Sequence, residues 1–156
     1  MEFCRFKLLD IHRLMVLFLF YIYTAGGGFL KRLSVDSSRC TGCGVCEETC
    51  SLAWYKVRDR DKSAIRVESD GQGGFCISVC DQCGACKEMC SIMALKTAKN
   101  GVVQLNKKTC VGCLICVGEC LRDYMRYHDD LPTPFKCIAC GLCAKQCPTK
   151  ALTINN

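Results

Sequence analysis

One spacing recurs four times in this chain and narrows sharply what the chain can fold into. Cys40, Cys43, Cys46 and Cys50 read C-x2-C-x2-C-x3-C, and so do Cys80, Cys83, Cys86 and Cys90. Cys110, Cys113, Cys116 and Cys120 repeat it, as do Cys137, Cys140, Cys143 and Cys147. Sixteen of the eighteen cysteines belong to these runs. Two-residue gaps let a tight loop turn three thiols toward one centre. The three-residue gap sets the third and fourth cysteines at i and i+4, one face of a short helix. Cysteine at this density signals either disulfides or metal. Disulfide frameworks carry irregular spacings, whereas four copies of one template call for four copies of one ligand geometry.

Thiolate quartets at this spacing hold [4Fe–4S] clusters, and in the bacterial-ferredoxin arrangement the fourth cysteine of each run ligates the other cluster of a pair. The expectation is therefore four [4Fe–4S] clusters with all sixteen run cysteines as ligands. Gly42, Gly44, Gly84, Gly112 and Gly141 lie in or beside the loops, where they let backbone N–H groups approach the sulfurs. Zinc sites use pairs of C-x2-C set a dozen or more residues apart, not triplets. Cys76-x3-Cys80-x2-Cys83 has the spacing of a radical-type cluster trio, but adopting it would dismantle a complete run. Cys4 is read as no ligand, and Cys76 as a small buried hydrophobe or cluster neighbour. His12 and His128 are too scattered for catalysis. No phosphate loop, nucleophile elbow or carboxylate pair occurs. The chain is expected to be no enzyme in itself.

The segment joining the two inner runs has an apolar start (Ile92 to Leu95), an Asn100-Gly101 turn signal and a short strand, Val102 to Leu105. Residues 78–122 alone thus look like a complete two-cluster ferredoxin, and the inner runs pair with each other. The outer runs then pair together, closed by strands at Leu30–Val35 and Ala151–Ile154. This nested scheme groups Cys40, Cys43 and Cys46 with Cys147, and Cys137, Cys140 and Cys143 with Cys50. Inside, Cys80, Cys83 and Cys86 take Cys120, and Cys110, Cys113 and Cys116 take Cys90. A tandem scheme, first run with second and third with fourth, stays open from spacing alone. The fold class expected is α+β: two fused bicluster-ferredoxin-like modules of small antiparallel strands and short helices around four cubanes. The outer module is 30–75 plus 123–156, and the inner module is 76–122.

Removing the cysteines from the 50% hydrophobic share leaves under two fifths of the chain, a lean core. The formal charge of +6 suggests a nucleic-acid partner until the cofactors are counted. A thiolate-ligated cubane carries about −2 when oxidised, so four of them bring the total to about −2. The Lys/Arg excess is read as balancing cluster charge, and no nucleic acid is expected. Residues 1–29 differ from the rest: basic residues precede a ten-residue apolar run, Leu14 to Tyr23, then glycines. Three readings apply: a mis-called start with Leu30 as a non-ATG start codon, a signal or anchor segment, or a true extension. A cytoplasmic location without a membrane role is expected apart from that segment. The insert at 51–75, with Trp54 as core packing near a cluster, and the connection at 121–136 are candidate partner-facing surfaces.

The pieces C-T-G-C-G-V-C-E-E-T-C-S, the later A-I-R-V strand, V-C-D-Q-C ahead of the second run and C-P-T-K-A-L near the end carry a resemblance. Over nearly all of residues 30–156 the sequence resembles the four-cluster electron-transfer subunits of molybdenum- and tungsten-pterin oxidoreductases. These include subunits of dimethyl sulfoxide reductase-type and tungsten aldehyde oxidoreductase-type enzymes. The compact second and fourth runs favour the latter type. The resemblance implies nested pairing, a catalytic pterin-metal subunit as partner, and a second electron carrier. A free polyferredoxin shuttle without a fixed partner is the alternative.

Overall fold

The computed structural model describes residues 30–155. Three two-stranded antiparallel sheets, four α-helices and two 3-10 turns (Ser37–Arg39 and Arg60–Lys62) account for the regular structure of the described residues. The first strand, β1 (Arg32–Val35), pairs with the last, β6 (Leu152–Asn155), placing Leu33 opposite Ile154 and Val35 opposite Leu152. Side chains alternate across a strand, so these four apolar residues share one face and the polar ones point outward. Between them come α1 (Val45–Tyr55), β2 (Ile65–Ser69), β3 (Phe75–Val79), α2 (Ala85–Glu88), β4 (Leu95–Thr97), β5 (Val103–Leu105), α3 (Ile115–Gly118) and α4 (Leu142–Gln146).

Two small cores result. Leu33, Ile65, Val79, Ala151 and Leu152 pack with Cys46, Cys143 and Cys147, and Cys40, Cys50 and Cys137 adjoin them. Leu95, Val103 and Met125 pack with Cys116, and Cys86, Cys90 and Cys120 adjoin those. The first core draws on both ends of the described residues, and the second mostly on their middle. Val79 of β3 belongs to the first core although it lies beyond residue 75, because β3 is held by β2. Likewise Met125 belongs to the second core although it lies beyond residue 122.

The insert differs from its sequence reading. Its one expected strand pairs with a second, β3, in a hairpin whose turn is built on Asp70, which accepts hydrogen bonds from the N–H groups of Gln72 and Gly74 at 2.8 Å. The alternation in F-C-I-S-V is short and half-buried up to the buried Val79, a weak strand signal without its partner. The charged stretch of the insert is largely self-paired. Arg58 and Arg60 meet Glu48, and Arg66 meets Asp61. Lys62 Nζ reaches Asp130 at 2.7 Å, tying the insert to the 121–136 connection. Trp54, expected in the core, is 47% exposed, because α1 carries it past the first core to the rim. Cys76 sits half-buried in β3 across from Glu68. Cys4, His12 and the rest of 1–29 lie outside the described residues.

Candidate metal centres

Each cysteine run is shaped by the same pair of left-handed residues. The residue before the second cysteine has positive φ in all four: Gly42 (69°), Gln82 (66°), Gly112 (69°) and Ala139 (51°). The residue after it repeats the feature: Gly44 (72°), Gly84 (88°), Leu114 (59°) and Gly141 (81°). Those residues also cap the helices that follow. Two left-handed residues flanking one cysteine curl the loop into a cup with its N–H groups inward, a concavity suited to anions. Glycine is the natural occupant. Gln82, Ala139 and Leu114 adopt the conformation without being glycine, so a glycine search misses three of the eight positions.

The fourth cysteines are placed differently from the helix reading. Only in the first run do third and fourth cysteine, Cys46 and Cys50, share a helix, α1. Elsewhere the helix is a single turn that stops before the fourth cysteine, and the third residue after it turns left-handed: Met93, Asp123 and Lys150. That turn swings the next backbone N–H onto the sulfur. Ala94 N–H donates to Cys90 Sγ at 3.3 Å, and Tyr124 N–H to Cys120 Sγ at 3.2 Å. Burial opposes ionisation at Cys147, but hydrogen bonds from Thr149 and from the N–H groups of Ala151, Thr149 and Leu152 hold its thiol below the ordinary value. Because α1 continues to Tyr55, Cys50 sits instead beside Ser63, Ala64 and Ile65; burial raises its thiol, and hydrogen bonding from those three residues works against the rise. Further N–H donors reach Cys110 (Gly112, 3.5 Å) and Cys137 (Ala139, 3.3 Å).

One cavity of about 260 Å³ is lined by Cys50, Cys137, Cys140 and Cys143 together. A far smaller cleft is lined by Cys40, Cys43, Cys46 and Cys147. Among the described residues neither lining includes a carboxylate, and the larger includes Lys62, Lys107 and Lys136. A thiol quartet, backbone donors on the sulfurs and a cationic wall fit a thiolate-bound cubane, which carries net negative charge. No three His, Cys, Asp or Glu side chains among the described residues converge closely enough for a single ion. A cubane spreads its ligands wider than an ion does. In the inner core Cys116 feels the charge of Cys110, Cys113 and Cys90, and Cys86 that of Lys136 first and then of Cys80, Cys83 and Cys116. Burial raises most of these thiols: Cys46 is pushed up to about 12, and Cys86 and Cys137 to about 11. Ligation therefore has to displace protons from thiols that hold them tightly.

Sequence reasoning missed Lys136 altogether. It is 7% exposed and lies where the two cores meet. Its ammonium donates to Gln82 Oε1 at 2.7 Å, to the Cys137 carbonyl at 3.2 Å and to Cys80 Sγ at 3.5 Å. Gln82 in turn donates from Nε2 to the same Cys137 carbonyl at 2.7 Å and accepts from Val103 N–H at 3.2 Å. Burial raises the Cys80 thiol, and the charge of Lys136 works against that rise. The signal available in sequence was only a lysine directly preceding a run, which surface lysines also satisfy.

Comparison with known proteins agrees with this chemistry. Two 4Fe-4S binding domain families match, one at residues 37–56 and the other at 133–153, over the first and last runs. The fold and these matches define a 4Fe-4S ferredoxin-like electron-transfer protein. Protein NrfC of Escherichia coli (strain K12) is 30% identical over 171 residues, spanning 85% of this sequence and 72% of its own. The protein belongs to the family of Protein NrfC. The B subunit of anaerobic dimethyl sulfoxide reductase, from the same organism, is 27% identical over 76% of this sequence and 69% of its own. Among solved structures, the active site complex BamBC of benzoyl coenzyme A reductase, with zinc, overlays on 83% of this protein and 80% of that one. It does so at 21% identity with a TM-score of 0.47. No helix among the described residues is long and apolar enough to cross a membrane.

Proposed function

We propose that the protein carries electrons through four [4Fe–4S] clusters as the iron–sulfur subunit of a larger oxidoreductase, a molybdenum- or tungsten-pterin enzyme. The observation that carries this reading is the cavity that brings Cys50 together with Cys137, Cys140 and Cys143. It supports nested pairing, with Cys40, Cys43, Cys46 and Cys147 around the neighbouring cleft. The inner quartets are then Cys80, Cys83, Cys86 with Cys120, and Cys110, Cys113, Cys116 with Cys90. In this scheme the protein divides into an outer module of 30–75 plus 123–156 and an inner one of 76–122.

Bound cubanes supply reversible one-electron carriage; no bond is made or broken in the protein. The work of the polypeptide is to hold the thiolates, aim N–H groups at their sulfurs and exclude most water from the outer sites. One electron enters from a reduced partner and one leaves to an oxidised one. The second cysteine of every run is exposed, so each site has one edge at the surface. Met93, Val111 and Leu121, beside the inner runs, are exposed at 71%, 71% and 67%. Large apolar side chains left bare at cluster loops favour a fixed protein partner over a freely diffusing shuttle.

The test is anaerobic purification of the tagged protein from its native host, with metal analysis. Molybdenum or tungsten with a large co-purifying subunit, and about sixteen irons attributable to each small one, is expected. Full iron with neither pterin metal nor partner moves the function to the free polyferredoxin shuttle. Pairing is tested separately with Cys50→Ser: nested pairing predicts an altered signal from the cluster of Cys137, Cys140 and Cys143. A change confined to the cluster of Cys80, Cys83 and Cys86 would establish the tandem scheme.

A further inference from the structure

Lys136 is a buried cation with no carboxylate partner among the described residues. Lysine offers three N–H donors and no acceptor. All three of its donors are engaged, by Gln82 Oε1, the Cys137 carbonyl and Cys80 Sγ. Among the described residues no carboxylate pairs with it, whereas the half-buried Lys62 and Arg66 each have one. A charge taken out of water without a counter-charge is costly enough that proteins seldom keep one. Here the two partners that bracket the ammonium belong to different thiol quartets: Cys80 to an inner one, Cys137 to the cavity with Cys50, Cys140 and Cys143.

We propose that Lys136 is a positioning cation that raises the reduction potentials of two neighbouring clusters, those held by Cys80 and by Cys137, across the junction of the modules. The proposal rests on the four-cluster reading above. Reduction adds one negative charge to a cluster, and a fixed positive charge beside its ligand favours the reduced form. Because one ammonium touches the ligand loops of both sites, it lifts both potentials together. Gln82 is the clamp. Its amide ties the inner loop to the Cys137 carbonyl and presents Oε1 to the ammonium, so that the lysine cannot swing out to water. Lys62 and Lys107 also line the larger cavity, but Lys62 is spoken for by Asp59 and Asp130, and Lys107 lies over the Tyr55 ring.

The experiment uses the anaerobically purified, cluster-loaded full-length protein, in wild-type, Lys136→Met, Lys136→Arg and Gln82→Glu forms. Iron content and EPR-monitored redox titration are the readouts. With iron unchanged, Lys136→Met is expected to lower two of the four potentials. The reduced-to-oxidised ratio at a fixed potential should fall about tenfold at each, equivalent to about 59 mV for a one-electron couple. Lys136→Arg should hold both potentials near wild type, and Gln82→Glu, which puts a neutralising charge against the ammonium, should lower the same two. Four unmoved potentials in a fully loaded Lys136→Met protein overturn the proposal, as does a single uniform shift of all four. If Lys136→Met loses iron, Gln82→Glu decides: lowered potentials at two clusters support the charge role. Unmoved potentials there, or iron loss in both neutralised forms, make Lys136 a structural strut and end the proposal. A wild-type protein with about eight irons would instead refute the four-cluster reading, a separate result.

Discussion

Left-handed residues around the second cysteines are where single substitutions should tell most. Gly84 has open space where a Cβ would stand, so Gly84→Ala meets only the backbone penalty at φ 88°, about 1 kcal/mol. At Gly112 a Cβ would also sit 2.5 Å from the Pro132 carbonyl, a backbone atom that cannot move aside cheaply. Gly112→Ala should therefore cost at least about 2 kcal/mol. The midpoint of denaturant-induced loss of visible absorbance measures both, and equal shifts would contradict the steric account. Glu47, buried on α1, makes a pH prediction. Burial raises its carboxyl above the ordinary 4.5, although Val67 N–H and Arg60 oppose that. In the window between 4.5 and the raised value the folded state binds the extra proton, so stability is fullest below the window and declines as pH rises through it. Glu47→Gln should flatten that part of the profile of thermal midpoint against pH; an unchanged slope would assign it elsewhere.

The first run stands apart among the elements because α1 does not stop at its fourth cysteine. Its sulfur bonds come from Ser63, Ala64 and Ile65 rather than from the next turn. Ser63→Ala should consequently destabilise the loaded protein by about 1 kcal/mol. On the proposed four-cluster reading it should also lower the potential of one cluster, that of Cys50, with the other three signals unmoved in redox titration. Part of this architecture is legible in the amino-acid sequence. The cysteine spacing, the Asn100-Gly101 hairpin and the closing strands were legible, because turn chemistry and thiol spacing are local. The length of α1 was not, since Ser51 to Tyr55 could as well have been loop. Strand β3 was hidden because its partner alone defines it. The left-handed Gln82, Leu114 and Ala139 were hidden because nothing in those side chains announces positive φ; the loop imposes it. Lys136 was hidden for a different reason: its importance lies in burial between residues 80 and 137, a long-range fact.

At the scale of the whole molecule, the cores are built partly from the candidate ligands themselves. Cys46, Cys143 and Cys147 are buried members of one core and Cys116 of the other. Few large apolar side chains remain when those are taken away, so most of the interior depends on what the thiols hold. Iron-free protein should show no sharp heat-capacity peak on heating, whereas loaded protein should; a cooperative transition after complete chelation would refute the dependence. The pairing of β1 with β6 carries a consequence for biogenesis. Translation delivers the two inner runs in succession, twenty residues apart from Cys90 to Cys110. The outer cavity cannot close until Cys137 to Cys147 and β6 have left the ribosome, long after Cys40 to Cys50 have emerged. On the proposed nested pairing, the earliest cysteines wait through that interval as bare thiols, so the assembly machinery of the cell has to guard them or arrive late.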